Sequence, residues 1–336
     1  MIERLTIDDE VKYLWDKVMD LNEILWDNKL SRDSINDWLE NFNTDDEKNS
    51  ALFLLSNFIY FNKHSIRQLL VALYRDLYRY PIIESIRRAN GGTFDDSIIE
   101  PIFEKELHTT LFTIVGNISE SSSLLSFDFR TENGGLNVDL FTEEVWKQDF
   151  SGHSYKQRRF LNRCVFIDDF CGTGQQILTN NEVFDTIRRL KRYFPYIKVY
   201  YYCLIGTEYG VENVRTRKDM FDDVRAVLTM DQSFKCFSAI PRIFLNNKFF
   251  DKNFVERMCK QYGTMLMIHF LEEIKKITAP KHEIIKCAED HSKGFSDSQL
   301  LLGMEHNVPD NTLPIIWYGE EPKLWTPIFK RKVKKY

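Results

Sequence analysis

Two adjacent carboxylates followed at once by a glycine-rich turn are the residues of this chain best placed to do chemistry: Asp168 and Asp169, then Phe170, Cys171, Gly172, Thr173, Gly174, Gln175 and Gln176. Glycines permit left-handed backbone and close approach, so the N–H groups of Gly172, Thr173, Gly174, Gln175 and Gln176 can turn inward on a phosphate. A helix opening near Ile177 adds a favourable potential for an anion. The acids suit a different group. Neighbouring carboxylates accept hydrogen bonds from the vicinal hydroxyls of a sugar, directly or through a magnesium ion and its waters, so Asp168 and Asp169 are candidate catalytic acids and indirect metal holders.

The elements that must position this loop are legible as short apolar runs. Cys164, Val165, Phe166 and Ile167 form an unbroken one immediately before the acids, and similar runs occupy residues 110–115, 197–205, 224–228 and 299–304. Helix-compatible stretches at 181–193 and 254–277 lie among them. Strands separated by helices imply a mainly parallel α/β sheet, in which ligands gather at the carboxyl ends of the strands. The first hundred residues read differently. Val11, Leu14, Trp15, Val18, Leu21 and Leu25 recur at helical spacing, and after Ser65 as an N-cap a second stripe runs through Ile66, Leu69, Leu70, Leu73 and Leu77. The expected division is a helical module over 1–100 and an α/β domain over 101–336, with Arg67, Arg75 and Arg79 solvated or paired. A terminal segment dense in Pro, Asn and Trp, from His306 through Trp317 to Trp325, is expected to cap the sheet.

Further pieces sit where such a site needs them. The run ending at Val115 is followed by Gly116, Asn117, Ile118, Ser119, Glu120 and Ser121, a small hydroxyl-rich turn able to take a pyrophosphate. Residues 131–162 form a long polar connection in which Lys156 or Arg159 could bring a cation to a leaving group, or which is a plain solvent-exposed hairpin. Tyr209, after the run at 200–205, could stack on a ring, although sheet and turn alone explain it as well.

Composition removes other classes. With 336 residues and a net charge of −5 there is no global basic field for nucleic acid, only the tail Lys330, Arg331, Lys332, Lys334 and Lys335. Six cysteines without a C-x-x-C pair or a His at zinc spacing read as reduced thiols. No apolar run approaches the roughly 20 residues that span a bilayer, and the amino terminus lacks a signal-peptide core, so the chain is expected to be cytoplasmic.

The Val-Phe-Ile-Asp-Asp-Phe-Cys-Gly-Thr-Gly string resembles the donor-binding motif of type I phosphoribosyltransferases, with Gln176 where that motif commonly has Thr. It is also close to the cofactor loop of SAM-dependent adenine methyltransferases, but the Asn/Asp-Pro-Pro-aromatic element those enzymes need is absent; Phe194, Pro195 and Tyr196 are the nearest approach. Taken with the helical amino-terminal module, the loop after Val115 and the His306–Trp317 segment, the chain from about residue 50 onward is similar to the phosphoribosyltransferase-like (PRTase-CE type) effectors of bacterial conflict systems. The resemblance implies a type I phosphoribosyltransferase-like sheet flanked by helices, a phosphoribosyl donor or nucleotide as ligand, and Mg2+. It implies too an anti-phage effector whose partner is a retron reverse transcriptase with its DNA-RNA product. Homo-oligomers stay open. The alternative is an inactive module that senses a nucleotide or a nucleic-acid end and acts through a partner; a nuclease has less support, because two acids are few for a phosphodiesterase.

Overall fold

The computed structural model describes residues 6–115, 120–136, 161–319 and 324–331. These fall into two compact units: one of residues 1–64 with 231–336, the other of residues 65–230.

The first unit opens with α1 (Ile7–Ile24), α2 (Arg32–Leu39) and α3 (Asp45–Leu55). Each is started by a hydroxyl cap: Thr6 accepts from Asp9 N–H, Ser31 from Ser34 N–H and Thr44 from Glu47 N–H. Each such bond satisfies a donor that a helix start leaves orphaned. The short strand β1 (Ile59–Phe61) follows. After residue 230 the unit resumes with α11 (Lys252–His269), α12 (Lys281–His291), β6 (Leu302–Met304) and α13 (Pro314–Trp317). Its core is aromatic and joins early to late sequence. Trp26 and Phe58 pack on Phe329 with ring centroids 5.5 and 4.6 Å apart, and Phe42 packs on Trp325 at 5.3 Å. The Trp38 indole donates to the Ile315 carbonyl at 2.8 Å, as does Trp325 at 3.0 Å.

The second unit carries α4 (Lys63–Ala72), which starts two residues before Ser65 and runs on through wider turns (Leu73–Arg79) into α5 (Tyr80–Ala89) and α6 (Asp96–His108). Then come β2 (Thr110–Ile114), α7 (Glu120–Glu132), β3 (Arg163–Cys171), α8 (Gln175–Leu178), α9 (Asn181–Tyr193), β4 (Lys198–Thr207), α10 (Glu208–Arg215) and β5 (Asp223–Met230). The strands pair in the order β2-β3-β4-β5, all parallel. Alternating side chains sort to the two faces. Cys164, Phe166, Val199 and Tyr201 join Ile187, Val211, Val214 and Phe221 in one cluster. On the other face Phe112 meets Tyr78 and Phe129, at 4.8 and 5.5 Å between centroids. Arg67 is paired with Asp128, Arg75 with Asp76 and Arg79 with Glu100.

The expected α/β architecture of parallel strands flanked by helices is present, with several local differences. The run 299–304 is not a strand of the main sheet; only Leu302–Met304 extends, and it pairs with β1. The helix expected over 254–277 stops at His269 and loosens into wider turns at Phe270–Ile274. The Pro- and Trp-rich terminal segment belongs to the first unit, because Trp38, Trp26 and Phe42 bind it there, and the units do not divide at residue 100. Among the described residues no helix is long and apolar enough to cross a membrane, and all six cysteines are free thiols, five of them buried.

Candidate functional site

β3 does not end where its apolar run ends. It continues through Asp168, Asp169 and Phe170 to Cys171, with Asp168 in register with Cys203, Phe170 with Ile205 and Cys171 with Gly206. The acid pair therefore stands in the strand's carboxyl-terminal part, and the turn proper is Gly172, Thr173 and Gly174.

Consecutive strand residues face opposite ways, so the two acids have different surroundings. Asp168 is 7% exposed. Its Oδ2 accepts from the Tyr201 hydroxyl at 2.7 Å and its Oδ1 from the Asp169 backbone N–H at 3.0 Å. Burial pushes the Asp168 carboxyl well above the usual carboxylate range, and the charge of Asp169 beside it pushes the same way. Asp169 is only half-buried. Beneath the turn, the Cys171 thiol is drawn below its ordinary value by a hydrogen bond from Cys203, helped by the Tyr201 hydroxyl and the Gly174 N–H and opposed by burial.

The turn is held from α10. The Thr207 hydroxyl donates to the Gly172 carbonyl at 2.5 Å while accepting from Gly210 N–H at 2.9 Å, and the Asn213 amide donates to the Thr173 carbonyl at 2.9 Å. In a planar trans peptide the N–H points opposite to the carbonyl before it, so fixing the Gly172 carbonyl toward α10 directs the Thr173 N–H the other way, as a phosphate cradle requires. Gly174 sits at φ 74°, where a Cβ would also meet Val214 at 2.8 Å, so glycine is needed on both counts. Gln175 and Gln176 are exposed at the start of α8. That helix is a single turn of four residues, broken before α9, so it supplies much less dipole than a long helix would.

Asp168, Asp169, Gly172, Thr173, Gly174, Gln175 and Gln176 are thus brought together at one strand end. Gly116, Asn117, Ser119, Lys156 and Arg159 lie outside the described residues; the backbone of Ser121 falls in the first turn of α7. Tyr209 is 61% exposed in the first turn of α10. Sequence reasoning missed Tyr201, Thr207, Gly210 and Asn213. The spacing of Thr207 and Gly210 before an amphipathic stretch is a cap signature that could have found two of them, whereas Tyr201 lies inside an apolar run with no local mark. Among the described residues no three His, Cys, Asp or Glu side chains converge to hold a metal.

Residues 35–331 match the family model PRTase-CE. No curated protein matches the chain. Among solved structures, the AQ2163 protein from Aquifex aeolicus aligns at 10% identity over 60% of this chain and 86% of that one, with a TM-score of 0.26, a likeness too low to carry an argument about the fold.

Proposed function

The chain belongs to the PRTase-CE family, and on that premise we propose that the carboxyl end of β3 is a phosphoribosyl site. The 172–176 turn takes a 5-phosphate, and the acid pair Asp168 and Asp169 takes the ribose hydroxyls of a phosphoribosyl donor or a nucleotide. The observation that carries this reading is the tethering of the Gly172 and Thr173 carbonyls to Thr207 and Asn213, which fixes the turn and aims the Thr173 N–H away from α10, next in sequence to two carboxylates.

The chemistry follows from placement. When the bond at the anomeric carbon breaks, positive charge develops on the sugar, and a half-buried carboxylate fixed at the strand end stabilises it more than water does. The reaction class is phosphoribosyltransferase-like glycosyl transfer or glycosidic cleavage. Mg2+ fits the donor set only in the manner usual for that ion, with few protein ligands: Asp168 and Asp169 would hold it through ribose or water, the remaining ligands coming from phosphate oxygens, whose charge it would neutralise. Gly116, Asn117, Ser119 and Ser121 are assigned to pyrophosphate, and Lys156 or Arg159 to the leaving group. Resemblance alone supports the wider role: a toxic anti-phage effector restrained by a reverse transcriptase and its DNA-RNA product.

Titration of phosphoribosyl pyrophosphate with magnesium into the wild type and Asp169→Asn tests the site. Binding weakened at least about tenfold in a folded variant is expected, since hydrogen bonds to a charged group contribute roughly 1.5–3 kcal/mol. Equal affinity, or no binding to the wild type, sinks the reading. A second reading is favoured by Gln176, which offers an exposed amide where the resembled motif commonly has a hydroxyl: a donor bound without being consumed would mark a sensing module.

A further inference from the structure

Tyr201 touches no proposed ligand group, yet its hydroxyl is fixed on Asp168. It stands on β4 in register with Phe166, two residues before Asp168 on the same face. Two residues of strand rise about 6.6 Å, a span that a tyrosine leaning along the strand covers. Tyr201 is 1% exposed, and the Phe221 ring packs against it with centroids 5.8 Å apart, so its hydroxyl has little freedom.

That hydroxyl holds Oδ2 of Asp168, whose other oxygen holds the Asp169 N–H, at 2.7 and 3.0 Å. The result is a continuous link from β4, through a buried carboxyl, to the peptide that sets the direction of the Asp169 side chain. Asp168, with both oxygens engaged by the protein and little surface left, has less to offer a ligand than Asp169, and its larger share is to brace. We infer that Tyr201 is a positioning residue which, through Asp168, fixes the backbone at Asp169 and so aims the more open carboxylate of the pair at the ribose. The inference rests on the phosphoribosyl reading of this site and divides the labour within the acid pair.

The facing groups are few. Cys171 shares the strand with the acids, Cys203 shares β4 with Tyr201, and the packed helices present Ile187, Val211 and Val214.

The test measures affinity for ribose 5-phosphate and 2-deoxyribose 5-phosphate in the wild type and Tyr201→Phe. The wild type should prefer the ribose form at least about tenfold, the worth of a hydrogen bond to a charged group. Tyr201→Phe should lose most of that preference while its affinity for the deoxy form stays unchanged, because the phosphate turn is held separately by Thr207 and Asn213. A purely structural tyrosine would weaken both sugars alike. If Tyr201→Phe keeps the wild-type preference, or weakens both sugars alike, the inference is overturned and the phosphoribosyl reading stands. If the wild type binds neither sugar phosphate, that reading falls and takes this one with it. Should Tyr201→Phe not fold, Tyr201→Met removes the donor with a flexible side chain that adapts to the space: lost preference with unchanged affinity for the deoxy form supports the inference, and retained preference overturns it.

Discussion

Gly210 approaches Gly172 so closely that a Cβ placed on it would lie 2.2 Å from the Gly172 carbonyl oxygen. The first turn of α10 is therefore part of the mould in which the 172–174 turn is cast. Gly210→Ala must push that turn away or bend α10. The expected cost is about 1–3 kcal/mol, the range for overpacking a well-filled interior. Urea denaturation should show that loss, and sugar-phosphate binding should fall with it.

The Asp168 carboxyl gives stability a pH dependence of definite sign. An unfolded aspartate titrates near about 3.9, whereas burial and the charge of Asp169 hold the folded one higher. Between those two values the folded state binds the extra proton, so stability falls as pH rises through the window and no penalty exists below it. Asp168→Asn should remove this slope, gaining on the wild type as pH rises. Melting temperatures across that range check it; parallel curves would show that Asp168 does not carry the proton.

Deleting residues 306–336 should unravel helices far away in sequence. The indole of Trp38 loses the Ile315 carbonyl, and Trp26 and Phe42 lose Phe329 and Trp325. Hydrogen exchange should show protection lost over α1, α2 and α3. Trp38→Ala in the full chain should cost about 3–5 kcal/mol in the same unit, as large aromatic truncations do.

The thiols predict an order of labelling. Cys287 is partly exposed, while Cys164, Cys171, Cys203, Cys236 and Cys259 are buried. A thiol reagent applied to the native protein should modify Cys287 first, with the others reacting on unfolding. Mass mapping of early adducts decides it.

How much of this was written in the sequence depends on how local the cause is. α9 occupies 181–193, as its amphipathic pattern predicts, because Asn180 caps it and Val183, Phe184, Ile187 and Leu190 recur on one face. The residues of the acid pair and the turn were legible too, since glycine and adjacent carboxylates have few other uses at a strand end. That Asp168 lies within the strand was not legible. An acid ends an apolar run for any reader of patterns, and the partner that lets it be buried, Tyr201, comes 33 residues later. β1 and β6, three residues each, are too short to show a period. The grouping of α1, α2 and α3 with the chain beyond residue 230 depends on aromatic contacts spanning most of the sequence, which no window of residues contains.

That grouping has a consequence for the order of events during synthesis. Residues 65–230 interrupt the other unit, so the α/β sheet has all its strands while the early helices still lack Trp317, Trp325 and Phe329. At the usual pace of roughly 5–20 residues per second, the interruption alone occupies a ribosome for about 10–30 s. For that interval Trp26, Trp38 and Phe42 have only early neighbours such as Phe58, and one another, for cover, and lack Phe329, Trp325 and the Ile315 carbonyl. The nascent protein is most open to chaperones, and to misassociation, over α1, α2 and α3, and it stops being so only when the segment carrying Ile315, Trp325 and Phe329 emerges.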